Sequence, residues 1–182
     1  MILKLAREDA SLGITKDNVV NDEKAFVERM KALFKEHRSP VLVEEFIDGR
    51  EFIVAILDDE PIILEEIEFR VEPKLLCYKA KWATGSPEDL GTVSVFSPKL
   101  TRKQRQQILD LSMRVWDTLE IRDYGRVDFR MSYKGELFVL EANPNPDITP
   151  GSGYNISLDA AGIKYDEFIA HLVDASLTRC SA

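Results

Sequence analysis

The sequence predicts an α+β fold with mainly antiparallel strand pairing. Two pairs of strand-like segments, 51–58 with 61–68 and 125–133 with 136–143, are separated by too few residues for a crossover helix, so each reads as a hairpin. Two amphipathic segments, 23–37 and 102–119, carry their own helix caps. Strands and helices are intermixed rather than alternating as βαβ units, which separates α+β from α/β.

Taken in order, residues 1–5 (MILKL) form a strand and 6–18 (AREDASLGITKDN) a polar loop carrying Gly13. Asp22 caps a helix over 23–37, with Phe26, Met30, Leu33, Phe34 and His37 on one stripe. His37 in the last turn complements the helix dipole, and His171 lies on a helix surface; no Ser, Cys or Asp motif accompanies either. Pro40 ends this region. Residues 41–47 (VLVEEFI) and 51–58 (EFIVAILD) are strands, Asp58-Asp59-Glu60 turns the chain, and 61–68 (PIILEEIE) returns as hairpin partner. Residues 70–98, with Tyr78, Lys79, Lys81, Gly85, Pro87 and Gly91, read as one long irregular segment, functional or mobile. Thr101 and Gln104 make a capping box for the helix 102–119, whose apolar face is Ile108, Leu111, Val115, Trp116 and Leu119. A Pro/Gly loop at 144–153 and helices over 154–161 and 165–178 close the chain.

Composition bounds the function. With 182 residues, 45% hydrophobic and 31% charged, the chain can bury about 70% of its unfolded surface and needs no disulfide or metal to fold. The 24 basic and 32 acidic residues give a formal charge of −8, against a phosphate-footprint nucleic-acid binder. The densest basic run, Thr101-Arg102-Lys103-Gln104-Arg105, is a solvated helix start. Cys77 and Cys180 lie far apart without a CxxC or a His pair, so neither zinc nor a disulfide framework is expected. No apolar run approaches a membrane helix and no signal peptide opens the chain; the expected location is cytoplasmic, with no membrane partner.

The chemistry concentrates in the second hairpin. If Lys134-Gly135 is a two-residue turn, Met131 faces Phe138, Phe129 faces Leu140 and Val127 faces Ala142, one continuous apolar face. On the other face Asp128 lands opposite Glu141, and Arg126 opposite Asn143. Like charges in direct opposition destabilise a sheet unless something neutralises them. A divalent cation between the acids, with Asn143 as a third oxygen, does so, and hard oxygen donors without His or Cys suit Mg²⁺ or Mn²⁺. The alternative is an exposed face whose acids meet water or Arg126 and Arg130, and a longer turn would shift the register.

These residues, GRVDFR followed by LEANPNPD, resemble the metal-binding core of the ATP-grasp ligases, and among them the D-alanine:D-alanine ligase group. The resemblance extends over nearly the whole chain: KLAREDASLGI is similar to that family's Lys-containing phosphate loop, VLVEEFIDGREFIVAIL to its adenine-binding strand and ribose contact, and YKAKW to its lid segment. It implies an ATP-grasp-like fold with a small lobe over 1–47 and a larger lobe over 48–182. It also implies that Lys4 and Lys81 neutralise phosphate oxygens and that Ser11 contacts phosphate. Glu45 and Ile47 would present backbone groups to adenine, and Glu51 would take the ribose hydroxyls. Asp128, Glu141 and Asn143 would hold Mg²⁺, with Arg126 and Lys81 supporting the transferring phosphoryl group.

The implied reaction is ATP-dependent carboxylate–amine ligation through an acylphosphate, on small amino-acid-like substrates, with a homodimer as the candidate assembly. Two other readings stand beside it: a non-catalytic nucleotide-binding or interaction module, and a Mg²⁺-dependent phosphohydrolase using the carboxylate pair. The chain departs from the family pattern at Ala10, where a Ser of the substrate network is usual, at Trp82 in place of a Tyr, and at Asp147 in place of a Gly near the reacting carbonyl. The nucleotide half of the pattern is thus intact and the amino-acid half is altered. The family also carries an N-terminal substrate domain and another nucleotide-contacting Lys upstream of the position of Lys4, so the chain is expected to be the C-terminal ATP-binding portion.

Overall fold

The computed structural model describes residues 1–180. The chain divides into two compact units, Met1–Gly49 with Glu68–Val93, and Arg50–Ile67 with Ser94 onward. Among the described residues no helix is long and apolar enough to cross a membrane.

In the first unit, β1 (Ile2–Leu5) pairs antiparallel with β2 (Val41–Glu44), Leu3 facing Val43 and Lys4 facing Leu42. Between them runs α1 (Glu23–His37), capped as its sequence demands: the Asp22 carboxylate accepts from Ala25 N at 2.8 Å. Arg38 ends the helix in the left-handed conformation, its N–H bonded to Phe34 O. Leu3, Leu5, Val20 and Leu33 form the small core, flanked by Phe26, Met30 and Val41. Phe34, expected on the buried stripe, is 60% exposed. It follows Leu33 by one residue, about 100° round the helix, and so points away from the face that Phe26, Met30 and Leu33 share.

The expected irregular segment 70–98 is instead built of short elements: α2 (Tyr78–Trp82), α3 (Pro87–Leu90) and β5 (Thr92–Val95). Helices of four and five residues are too short to show periodicity, which is why spacing did not reveal them. Their caps are legible in retrospect, since Ser86 accepts from Asp89 N with Pro87 at the first helical position.

The larger sheet has five strands in the order β5-β4-β3-β6-β7, with β3 at Gly49–Leu57, β4 at Glu60–Phe69, β6 at Tyr124–Ser132 and β7 at Leu137–Asn143. The β3–β4 turn is Asp58-Asp59, both at positive φ, so Leu57 pairs with Glu60. One sheet face presents Phe52, Val54, Ile56, Val127, Phe129 and Met131 to Ile108 and Trp116 of α4 (Arg102–Thr118). That helix starts at the expected capping box of Thr101 and Gln104. At one end of the opposite face, Ala55 packs with Tyr154 and Leu158 of α5 (Gly153–Ala160) and Phe168 of α6 (Tyr165–Cys180). Further along that face Ile53 and Ile67 lie among the charged Glu51, Glu65, Arg126, Asp128 and Arg130.

The β6–β7 hairpin differs from the expected register in two places. Its turn has three residues, Tyr133-Lys134-Gly135, with Gly135 at φ +83 and Ser132 N bonded to Glu136 O. Phe129 therefore faces Val139 and Met131 faces Leu137, not Leu140 and Phe138. A bulge between Asp128 and Phe129 leaves Leu140 as the extra residue and restores the expected pairs beyond it: Asp128 with Glu141, Val127 with Ala142, Arg126 with Asn143. The apolar face is not continuous along β7. It is an edge strand, and Phe138, Val139 and Leu140 are each about 40% exposed.

Candidate functional site

The residues singled out by sequence divide between the two units. Lys4, Ser11, Glu45, Ile47 and Lys81 belong to the first; Glu51, Arg126, Asp128, Glu141 and Asn143 belong to the second.

In the first unit the loop 6–18 is held from below by a buried amide. Asn18 donates to Leu3 O at 2.6 Å and to Gly13 O at 3.1 Å, while its oxygen accepts from Thr15 N and from Arg29 Nη2 at 2.6 Å. A side chain that satisfies several loop groups at once substitutes for the secondary structure the loop lacks. Above this clamp, Ala10 and Ser11 both take positive φ, +50 and +62. Ser11 Oγ donates to Leu76 O at 2.9 Å, Trp82 Nε1 donates to Ala10 O at 2.9 Å, and Tyr78 N donates to Ile14 O. The loop bearing Ser11 is thus tied to α2, which bears Lys81. Ala10 and Trp82, two separate departures from the family pattern, are partners in one hydrogen bond. Lys4 pairs with Glu44 at 2.5 Å across β1 and β2. The strand expected over 41–47 stops at Glu44, which leaves Glu45 and Ile47 in the connecting segment.

In the second unit, alternation along β6 puts Arg126, Asp128 and Arg130 on the charged face of the sheet. Arg126 Nη2 lies 3.2 Å from Asp128 Oδ2 and 3.1 Å from Glu141 Oε1, so one guanidinium bridges the opposed acids. Burial depresses the Arg126 guanidinium, but Asp128 and Glu141 outweigh it and hold the group above its ordinary value. Its Nε is buried and has no hydrogen-bond partner among the described residues. Asn143, opposite Arg126, accepts from Asn145 N at 3.0 Å and opens the following loop. In that loop Asp147 accepts from Thr149 N and Oγ1, and these two bonds keep its carboxyl below the usual range.

Spacing put Arg130 on this face but did not reveal its partner, and it missed two further members. Arg130 forms a buried ion pair with Glu51, Nη2 to Oε2 at 2.8 Å, the side chains 4% and 6% exposed. Glu65, opposite Ile53 on β4, is buried; desolvation pushes its carboxyl up, while hydrogen bonds from Ser94 and Ser157 and the charge of Arg126 oppose that rise. Ser157, whose single hydroxyl proton is shared between Glu65 and Gly153 O, is the other, and it brings α5 onto this face. Period-two alternation of charge in the strand sequences was the available signal for Arg130; nothing local marked the others.

The donor set fits a hard cation: two carboxylates in direct register that already share one guanidinium, and an amide oxygen two pairs along on the same face. Among the described residues no group of three or more His, Cys, Asp or Glu side chains gathers to hold a metal ion; the candidate set has two acids, and its third oxygen is the Asn143 amide. Arg126 Nε, buried beside the acids, suits an anion such as phosphate.

Residues 1–174 match the family described as "D-ala D-ala ligase C-terminus". The chain belongs to this family. The D-alanine--D-alanine ligase of Nitrosomonas eutropha is 32% identical over 97% of this chain and 54% of its own length. The crystal structure of D-alanine--D-alanine ligase from Bacillus anthracis superimposes with TM-score 0.77 at 25% identity, over 97% of this chain and 54% of that one. A structure described as the same Bacillus anthracis ligase complexed with ATP gives TM-score 0.70 at 21% identity, over 97% and 59%, a likeness of fold. The architecture of antiparallel sheets flanked by helices is thus the ATP-grasp-like α+β fold expected from the sequence. The chain spans about half the length of the curated relatives it matches.

Proposed function

We propose that this D-ala D-ala ligase C-terminus family member is the nucleotide- and metal-handling portion of an ATP-dependent carboxylate–amine ligase. The observation that carries this is the charged sheet face, where Asp128 and Glu141 stand in register and share Arg126. Two acids and an arginine in that order serve phosphoryl transfer, which asks the protein for charge neutralisation and alignment rather than covalent chemistry.

Mg²⁺, held by Asp128, Glu141 and Asn143, would neutralise charge on the phosphates of ATP. Arg126, which bridges Asp128 and Glu141, would support the charge of the transferring phosphoryl group. Lys4 and Lys81, with Ser11, supply positive charge and a hydroxyl for phosphate, and Glu45 and Ile47 supply backbone groups for adenine. A substrate carboxylate attacks the γ-phosphorus and ADP leaves. The amine of a second substrate then attacks the acyl carbon and phosphate leaves, which forms a peptide-like bond. The substrates are amino-acid-like; Ala10, Trp82 and Asp147 set this chain apart from the D-alanine pattern, and the ionised Asp147 favours a cationic group near the reacting carbonyl.

The test uses a candidate amino acid labelled with ¹⁸O in its carboxylate, incubated with Mg²⁺-ATP and an amine acceptor. Ligation through an acylphosphate transfers label to the released phosphate. A phosphohydrolase draws that oxygen from water, and unlabelled phosphate released in quantity would overturn the ligase reading in its favour.

A further inference from the structure

The cross-strand pairing on the charged face runs one step past the end of the β6–β7 ladder. Asp128 stands opposite Glu141 and Arg126 opposite Asn143; two residues further on each strand come Tyr124 and Asn145, and the Tyr124 hydroxyl donates to Asn145 Oδ1 at 2.5 Å. Asn145 N in turn donates to Asn143 Oδ1 at 3.0 Å. We infer that Tyr124 is a positioning residue for the cation site: through Asn145 it fixes the direction of the Asn143 amide oxygen. This rests on the metal reading above, in which Asn143 is the third oxygen donor beside Asp128 and Glu141.

Each link is set by the one before it. The Tyr124 ring stands edge-on to Tyr154 and to Phe168, with centroids 5.6 Å apart in both pairs, and those two side chains are 2% and 0% exposed. Tyr154 is itself tied to Ile56 O at 2.8 Å. The hydroxyl therefore leaves the aromatic cluster at a fixed point. Asn145 lies between Pro144 and Pro146, which have no N–H, so it carries the one backbone donor of that tripeptide. An amide side chain can present its oxygen or its NH₂ group, and only the oxygen can accept from that N–H or meet a hard cation. The oxygen has two lone pairs, so the bond from Asn145 does not exclude a cation. Freed from Tyr124, Asn145 would keep its N–H but lose the side-chain tether that holds it beside the strand end. Contacts of this kind, one step removed from the metal, orient its ligands and tune its affinity.

The experiment titrates Mn²⁺ into the full chain, followed by water-proton relaxation, and uses Tyr124→Phe, which removes the hydroxyl and keeps the ring. Tyr124→Phe and Asn145→Ala should each weaken Mn²⁺ binding about tenfold, the lower end of what such supporting contacts carry. The double variant should bind no more weakly than either single one, because both break the same bond. In an Asn143→Ala background, Tyr124→Phe should change nothing further. A merely structural role for Tyr124 would weaken Mn²⁺ equally with and without Asn143, and that result would overturn the proposal. So would a Tyr124→Phe protein with wild-type affinity. If Tyr124→Phe does not fold, Asn145→Ala, at an exposed loop position, carries the same comparison with and without Asn143. Wild type that binds no Mn²⁺ refutes the metal reading itself, a separate failure that takes this inference with it.

Discussion

Asp128 and Glu141 stand directly opposite each other on neighbouring antiparallel strands, one side chain 6% exposed and the other 55%. The pair is therefore half sheltered and half open to water, an arrangement suited to a cation that must be gripped by the protein and still reach a ligand. Arg126 contacts both acids with one charge against their two, so a metal has to compete with it.

Mn²⁺, followed by water-proton relaxation, should bind wild type and be lost in the Asp128→Asn, Glu141→Gln double variant. Arg126→Met should bind Mn²⁺ more tightly than wild type in the absence of nucleotide, since the competing cation is gone. Unchanged affinity in the double variant would remove these residues from the metal site.

Asn18 predicts a coupling of stability to the loop 6–18. Asn18→Ala strips Leu3 O of a buried donor, and it removes one of two donors from Gly13 O and one of three acceptors from Arg29. One buried carbonyl left without that donor should cost about 1–3 kcal/mol, and the urea midpoint should fall accordingly. Hydrogen exchange at residues 13–15 should accelerate more than in α4. Equal acceleration everywhere would mean that the clamp has no local function.

Glu65 gives a pH dependence with a definite sign. Burial raises its carboxyl in the folded chain, so the folded state binds more protons than the unfolded one above the ordinary value of 4.5. Stability contributed at this site is therefore present at low pH and falls as pH rises through that window. Glu65→Gln, which keeps the hydrogen bonds to Ser94 and Ser157 without the charge, should raise the thermal midpoint at pH 7 relative to pH 4.5 when compared with wild type. A difference between the two proteins that does not change with pH would contradict the assignment.

Lys4 pairs with Glu44 at a partly exposed site, and such a pair contributes at most about 1 kcal/mol. Lys4→Ala should consequently leave the thermal midpoint almost unchanged yet weaken Mg²⁺-ATP binding about tenfold. A variant that loses stability and keeps affinity would return Lys4 to a purely structural role.

The longer helices and strands are readable from the sequence because their signals are local: Asp22 and Thr101 as caps, and alternation on either side of the two hairpins; the short α2, α3 and β5 are not. The opposition of Asp128 and Glu141 was reached through two errors that offset each other. The turn holds one residue more than assumed, and Leu140 bulges out of β7 to take up the difference. On β4 a bulge near Ile62 has no such counterpart, so Glu51 pairs with Ile67, whereas the two-residue turn alone would have set it opposite Glu66. Bulges carry no local signature here, and this is why Glu65 went unseen. The Arg130–Glu51 pair went unseen for another reason. It joins β6 to β3, strands distant in sequence, and spacing says nothing about which distant strands become neighbours.

The account depends above all on nucleotide binding, and the thermal midpoint measured with and without Mg²⁺-ATP tests it most directly. At about 100 times Kd, binding to the folded state adds about 2.7 kcal/mol, a rise of roughly 5–10 °C for a chain of this size. The account predicts that rise in wild type, a smaller one in Lys81→Ala and Glu51→Ala, and none when Asp128 and Glu141 are both replaced. A folded wild-type chain whose midpoint does not move at millimolar Mg²⁺-ATP would contradict it.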